Sequence, residues 1–448
     1  MLMFAHKAGP DPRHTAAPGD DPWACSTSGC HTGLPQGGPL NAYGGSVSAT
    51  FSNGSFYTPG QPVTITVTVA DPNPPESQWH GFQMSARLES DLVNGQAGSF
   101  RYTSGTGIFV LCDDGSVEGI IRQNNACPAN APVEFIEHNE PSMGTWTFTW
   151  NPPATDQGPI HFYVAGNAVV LDDNPDEKDH VYTKEYVLRP LAASCAQAPP
   201  TISEVRRFEG FGDGSTFSSG SWLWIKGSNL AQTTGTWLDA DFSAGVARTT
   251  LGGTSVSVNG KPAFVEYISP TQVNFQTPDD AATGPVAFTL TNCAGTASPP
   301  AKVSVPQQLA VAPGMLTPST GFVFNNKQYV VAQFYPNYLF VGPSASGLFR
   351  PAKPHEVVWM FGIGFGEVQG TAVAGTLASG SGQIVAPVTI SFGQTAANVI
   401  YKGLYPSYAG LYLFIVEVPA VADGEYQINM TLNGQPLQQP PFFLTVHK

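Results

Sequence analysis

From Gly44 onward, apolar and polar residues alternate in short runs, each closed by Gly, Pro, Asn or Asp. In SVSATFSNGSFYTPGQPVTITVTVADPNP this pattern predicts a strand, a turn at Asn53-Gly54, and a second strand from Pro62 to Ala70. The segments GFQMSARLES, GSFRYTS, GIFVLCDD, VEFIEH, GTWTFTWNPP, IHFYVAGNAVVL and HVYTKEYVL continue it. About eight short strands with period-two burial predict one antiparallel sandwich over residues 44–190. Residues 1–43 show no hydrophobic period and are rich in Gly, Pro, Asp and His, so they are expected to be irregular.

After LAASCAQAPPTIS, a linker of small residues and proline, the pattern repeats itself. SWLWIKGSNL (221–230) corresponds to EVVWMFGIGFG (356–366), each an apolar strand ending on glycine. VSVNGKPAFVEY aligns with VTISFGQTAANVIY: Gly260 and Ala263 on Gly393 and Ala396, and Tyr267 on Tyr401. Further on, Pro278 aligns with Pro419, and Gly284 with Gly424. Each Gly-x-x-Ala step is read as a tight hairpin with a small inward residue. Two immunoglobulin-like sandwiches, 203–305 and 306–448, follow from this repeat.

Composition agrees with short strands and many turns: 448 residues hold 48 Gly and 40 Pro, and only 12% are charged. A net charge of -14 with 19 Lys plus Arg argues against nucleic acid as partner. No run reaches the eighteen or so apolar residues of a membrane helix. The opening MLMFAHKAGPDP turns polar too soon for a secretory leader. The scarcity of Lys, the Ser/Thr/Gly-rich strands and the cysteine placement nevertheless predict a periplasmic or extracellular protein whose leader lies outside this start.

The six cysteines sharpen that expectation. Cys112 and Cys127 flank a turn-rich segment whose spacing suits a local disulfide, adding about 3 kcal/mol by restricting the unfolded chain. Cys195 and Cys293 form a second candidate pair, whose connectivity the sequence leaves open. Cys25 and Cys30 stand in WACSTSGCHTG, directly before His31. Two thiols and a following histidine are the donor set of a c-type haem, in which the thiols bond the vinyl groups and His31 ligates iron. A Cys25–Cys30 disulfide loop uses the same residues. A metal such as zinc is the third use, and needs about four N or S ligands where three are near in sequence.

Two family resemblances bear on this choice. WLWIKGSNLA, LGGTSVSVNGKPAFVEYISPTQVNFQTP, RPAKPHEVVWMFGIGFG and YKGLYPSYAGLYLFIVEVP resemble paired IPT/TIG immunoglobulin-like domains over about residues 203–448. That resemblance implies a modular spacing or binding role without a catalytic site. HTAAPGDDPWACSTSGCHTG, PGQPVTITVTV, GFQMSARL, EFIEHNEPSMGTWTFTWNPP and HFYVAGNAVVLDD resemble bacterial Reeler-like (choice-of-anchor) domains over about residues 8–188. Those domains often carry a C-x-x-C-H haem motif at this place, and here two extra residues separate the cysteines. The expected fold is therefore all-β: three antiparallel β-sandwiches in tandem, one Reeler-like and two immunoglobulin-like, behind an irregular segment bearing the motif.

A haem at Cys25 and Cys30 would take its opposite ligand from the same domain. His138, in VEFIEHNEP, is the first candidate. His180 and His80 are alternatives, ahead of His161, His14, Met84 and Met143. The run Asp172 to Asp179 offers oxygens for calcium but lacks the glycine and final glutamate of an EF-hand, so a solvated turn is its plainer use. Gly362, Gly364 and Gly366 follow a strand with no helix after them, which excludes a dinucleotide loop. No nucleophile stands beside a base, so no enzyme is expected. Trp146, Trp150, Tyr405, Tyr408 and Tyr412 suit either a sugar-binding face or core packing. The leading expectation is an exported protein carrying one haem c, with an unknown redox or surface protein partner. The second is a surface protein that adheres to matrix or carbohydrate, with Cys25–Cys30 as a structural disulfide.

Overall fold

The structure is a computed structural model. It describes residues 9–28, 30–32, 34, 37–72, 79–117, 127–170, 179–212, 214–343, 347–370, 373–380 and 382–448. The acidic run read as a calcium loop lies outside these residues except for Asp179. Nearly all regular structure is β-strand, and the chain is all-β as its alternating pattern predicts. Two compact units divide it: residues 1–194 with Trp237–Ser243, and residues 195–236 with 244–448.

The first unit stacks two sheets. One runs in the order Ser46–Phe51, Val63–Ala70, Thr145–Asn151, Ser99–Arg101. Its strands alternate buried and exposed positions, because one face is wet. The second sheet runs Phe56–Tyr57, His180–Pro190, Ile160–Val169, Trp79–Leu88, Glu134–His138, Ile108–Cys112. Phe51, Phe82, Phe100, Phe162 and Trp150 meet between the sheets and are essentially buried. Trp146 and Trp150 belong to this core, which removes them from any sugar-binding face.

The central strands of the second sheet do not alternate. Trp79–Leu88 is buried at eight consecutive positions, and Glu134–His138 along its whole length. Both faces are covered, and the cover on the outer face is the N-terminal segment. His14 N–H donates to Gln83 Oε1 (2.8 Å), and Gln83 Nε2 donates to the Asp11 carbonyl (3.0 Å). Arg87 Nη2 meets Asp20 Oδ1 at 3.0 Å, with both side chains fully buried. Ala24 and Cys25 pack on Ala165 and Val181. A polar segment without hydrophobic period is thus held as a third layer by hydrogen bonds and one buried ion pair. Among its described residues, its one regular element is the 3-10 turn Ala24–Ser26.

The second unit contains the repeat. In its first half a five-stranded sheet (Thr201–Arg207, Trp222–Ser228, Gln272–Gln276, Phe264–Ile268, Gly235–Thr236) accompanies one built on Thr254–Val258 and Phe288–Asn292. The second half repeats this with Val357–Ile363, Tyr412–Glu417 and Asn398–Leu404 in one sheet and Val388–Phe392 with Gly424–Leu432 in another. Tyr267 and Tyr401 both follow a bulge, Val265/Tyr267 and Val399/Tyr401, which confirms their alignment. The hairpin alignment needs correction by one residue. Ala263 N–H bonds to Val256 C=O and Ala397 N–H to Ile390 C=O, both at 2.9 Å, so Ala397 is the counterpart of Ala263, and Ala396 is exposed. The turn accounts for the slip: Asn259-Gly260 carries two positive φ angles (52° and 75°), whereas the second copy places its glycine first, at Gly393 (59°).

Candidate functional site

Outside the Trp79–Leu88 and Ile160–Val169 strands, under the N-terminal layer, lies a cavity of about 90 Å³. It is lined by His14, Cys25, Cys30, His31, His138 and Asn167, with Pro10, Asp11 and Thr27. Both thiols of the C-x4-C-H motif, its histidine and the first-choice opposite ligand therefore face one space. With Asn167, the lining comes from three separate parts of the chain.

Each side chain has a local cause for its position. Cys25 sits in the 3-10 turn Ala24–Ser26 and is buried against Ala165 and Val181. His31 Nδ1 donates to Asp179 Oδ2 (2.8 Å), and Asn167 Nδ2 donates to His31 Nε2 (2.9 Å). These two bonds agree on one tautomer, with the proton on Nδ1 and the lone pair on Nε2. A carboxylate on the far nitrogen is how ligating histidines are commonly oriented. His138 Nδ1 stands 3.0 Å from the Phe82 backbone N and 3.1 Å from its carbonyl oxygen, and its tautomer selects which of the two it bonds. Its ring fits because position 81 has no side chain: a Cβ there would stand 2.4 Å from His138 Cε1 and 2.7 Å from Asn167 Oδ1.

Burial dominates the electrostatics. It pushes the Cys25 thiol up to about 12 and raises that of half-buried Cys30 as well. Both are therefore protonated and poor nucleophiles as they stand. Burial also pulls His138 down to about 4, leaving it neutral. Beside it, burial holds the Glu137 carboxyl well above the usual carboxylate range. Its Oε2 takes a bond from Gln83 Nε2 (2.5 Å), and Oε1 has no partner among the described residues. Asn167 Oδ1, beside the cavity, is likewise buried without a partner among the described residues.

Cys25 and Cys30 are free thiols, so the bridge between them that the adhesion reading expected is not formed. Cys25 is instead committed to the apolar contact beneath the N-terminal layer. The other expected bridges are present: Cys112–Cys127 with Cα atoms 5.5 Å apart, and Cys195–Cys293 at 5.7 Å. His180 and His80 lie away from the cavity. His180 Nδ1 bonds Asp71 Oδ2 at 2.5 Å, with its ring stacked on Tyr43, and His80 Nδ1 sits 3.3 Å from the Ser142 carbonyl. His161 pairs with Glu185, Met84 is core, and Met143 is exposed. Among the described residues, no three His, Cys, Asp or Glu side chains stand close enough together to hold a metal ion.

The donor set suits a c-type haem, but the enclosed space does not. Pockets for cofactor-sized ligands run about 300–1,000 Å³, several times this cavity's volume of about 90 Å³. What sequence reasoning missed is the frame around the motif: Asn167, Asp179, Gly81 and Glu137. A glycine and an asparagine inside otherwise apolar strands, GFQMSARL and HFYVAGNAVVL, were the available signals.

Comparison with known proteins adds two domain matches. Residues 28–168 match the family model of the Reeler domain, and residues 207–305 that of the IPT/TIG domain. Among solved structures, the human F-spondin reeler domain (fragment 2) is 17% identical, with 35% of this chain and 95% of that one covered and a TM-score of 0.22. The Reelin-N domain of F-spondin is 18% identical, covering 32% and 86%, with a TM-score of 0.20. A search of curated proteins found no match. Among the described residues, no helix is long and apolar enough to cross a membrane. The Reeler match thus spans most of the first sandwich, beginning after Cys25, and the IPT/TIG match spans the first half of the repeat.

Proposed function

We propose that this chain is an extracellular, non-catalytic surface protein of adhesion type, in which a Reeler sandwich and the immunoglobulin-like repeat serve as binding modules. The observation that supports this reading is the pairing of a Reeler domain and an IPT/TIG domain with two disulfides, bonds that persist in oxidising compartments. Solid-phase binding of the full chain to cell-envelope and extracellular-matrix preparations tests it. Saturable binding is expected, and its absence on every preparation overturns the reading.

A second reading, covalent haem c at Cys25 and Cys30 for electron transfer or haem-based binding, is favoured by one observation. Two thiols, His31 and His138 converge on one cavity although 107 positions separate His31 from His138 (138 − 31). Against it stands the cavity's small volume. Production in a host with c-type maturation decides between the two: a haem absorption band with the matching mass increase, both lost in Cys25→Ala/Cys30→Ala, would establish it. Haem-free protein from such a host would remove it.

A further inference from the structure

The strands Ala332–Phe334, Val357–Ile363, Tyr412–Glu417 and Asn398–Leu404 turn Val358, Met360, Phe414 and Val416 into the core of their sandwich. Their opposite face carries the cross-strand row Gln333–Trp359–Ile415–Tyr401. Aromatic rings gather on that row. Tyr335 lies flat on Trp359, with centroids 4.6 Å apart and planes 3° from parallel. Tyr338 meets Tyr335 edge-on, Tyr405 meets Trp359 edge-on, and Tyr408 stacks on Tyr405 at 4.6 Å and 9°. Tyr335 is 57% exposed, Tyr338 53% and Tyr408 50%. Tyr412, grouped with them at the sequence level, is buried.

The fold does not demand such a face, because the first copy of the repeat lacks it. There, Trp224 occupies the place of Trp359, but Asn274 stands for Ile415 and Lys226 for Phe361. Lys226 Nζ sits 3.5 Å over the Trp224 ring, and Asn274 accepts from Gln272 Nε2. Charge and amide groups cap the tryptophan in one copy, and tyrosine rings pack on it in the other.

The chemistry of the patch selects its ligand. Ring faces offer apolar contact, while phenolic hydroxyls at their rims can exchange hydrogen bonds with a polar partner. A pyranose ring has the same two-sided character, with C–H groups on its faces and hydroxyls around its edge. None of the five rings bears a charge, and the chain's net charge of -14 repels anionic polymers. An uncharged platform on an acidic protein is therefore complementary to an uncharged polymer. Three of the rings stand half exposed on the sheet face rather than inside a pocket, which suits successive residues of a chain better than one enclosed sugar. We propose that Trp359, Tyr335, Tyr338, Tyr405 and Tyr408 form a binding platform for a neutral polysaccharide. The proposal rests on the surface-binding reading above and names its ligand class.

Affinity electrophoresis of the full chain tests it, in native gels containing laminarin, hydroxyethyl cellulose, xylan or galactomannan, with dextran sulfate as the charged control. Retardation is expected in at least one neutral gel and not in dextran sulfate. Tyr335→Ala/Tyr408→Ala, at two exposed positions, should weaken it about tenfold or more, the loss of two stacking contacts. Near-ultraviolet circular dichroism checks that this variant is folded, and Tyr408→Phe, which keeps the ring, should retain most binding. A wild-type chain that no neutral gel retards, or a folded double variant retarded as strongly, overturns the platform. If no neutral gel retards a wild-type chain that binds envelope or matrix, the platform falls and the surface-binding reading stands. If the wild type binds none of them, that reading falls too.

Discussion

Asp20 and Arg87 show how the N-terminal layer depends on single residues. Their ion pair is fully buried, and burial works against charge on both: it raises the Asp20 carboxyl and lowers the Arg87 guanidinium. Asp20→Asn leaves Arg87 buried without its counter-charge, and should cost about 3–5 kcal/mol in denaturant unfolding. His138 and Glu137 make stability depend on pH in opposite directions. His138 falls from 6.5 in the unfolded chain to about 4 when folded, so only the unfolded chain takes up its proton between those values. Stability should therefore drop by about 3 kcal/mol as pH falls across that window, and His138→Asn should flatten the slope. Glu137 holds its proton to higher pH when folded than when unfolded, where it is lost above 4.5, so its contribution erodes as pH rises. Glu137→Gln should remove that erosion, leaving the variant more stable than wild type at neutral pH in equilibrium unfolding.

At the level of elements, the outer face of the central sheet decides the site. Trp79–Leu88 and Ile160–Val169 place Gly81 opposite Asn167. That pairing opens the slot in which the His138 ring lies. Gly81→Ala keeps an ordinary strand backbone but drives a methyl group into the ring and the amide. It should cost about 1–3 kcal/mol and shift the His138 imidazole resonances in an NMR titration; an unshifted His138 would contradict the slot. The strand pattern itself was readable, since alternation names the inward residues of Val63–Ala70 and Thr145–Asn151. It failed for Trp79–Leu88 and Glu134–His138, whose polar outward residues look solvent-facing in sequence yet are covered by the N-terminal layer. The hairpin offset between Ala396 and Ala397 has a similar origin, because turn type sets which residue points inward and residue identity alone does not.

Across the whole molecule, covalent links support modules that each bury their own core. Cys195–Cys293 closes a separation of 98 residues within the second unit. Replacing both cysteines by serine should cost about 2–5 kcal/mol in a thermal unfolding scan, a loss confined to that unit. By itself the sequence determined the all-β class and the internal repeat, pointed to the local pair Cys112–Cys127, and offered Cys195–Cys293 and the residues Cys25, Cys30, His31 and His138 as candidates, because local periodicity and residue chemistry are written in short stretches. The tertiary structure alone decided that a polar N-terminal segment becomes a packed layer, and that Cys25 and Cys30 stay unbridged. It also decided that His31 is oriented by Asn167 and Asp179, 136 and 148 residues away. The physical reason is common to all three. A buried polar group must find its partner wherever the sheet register brings one, and register is a property of paired strands.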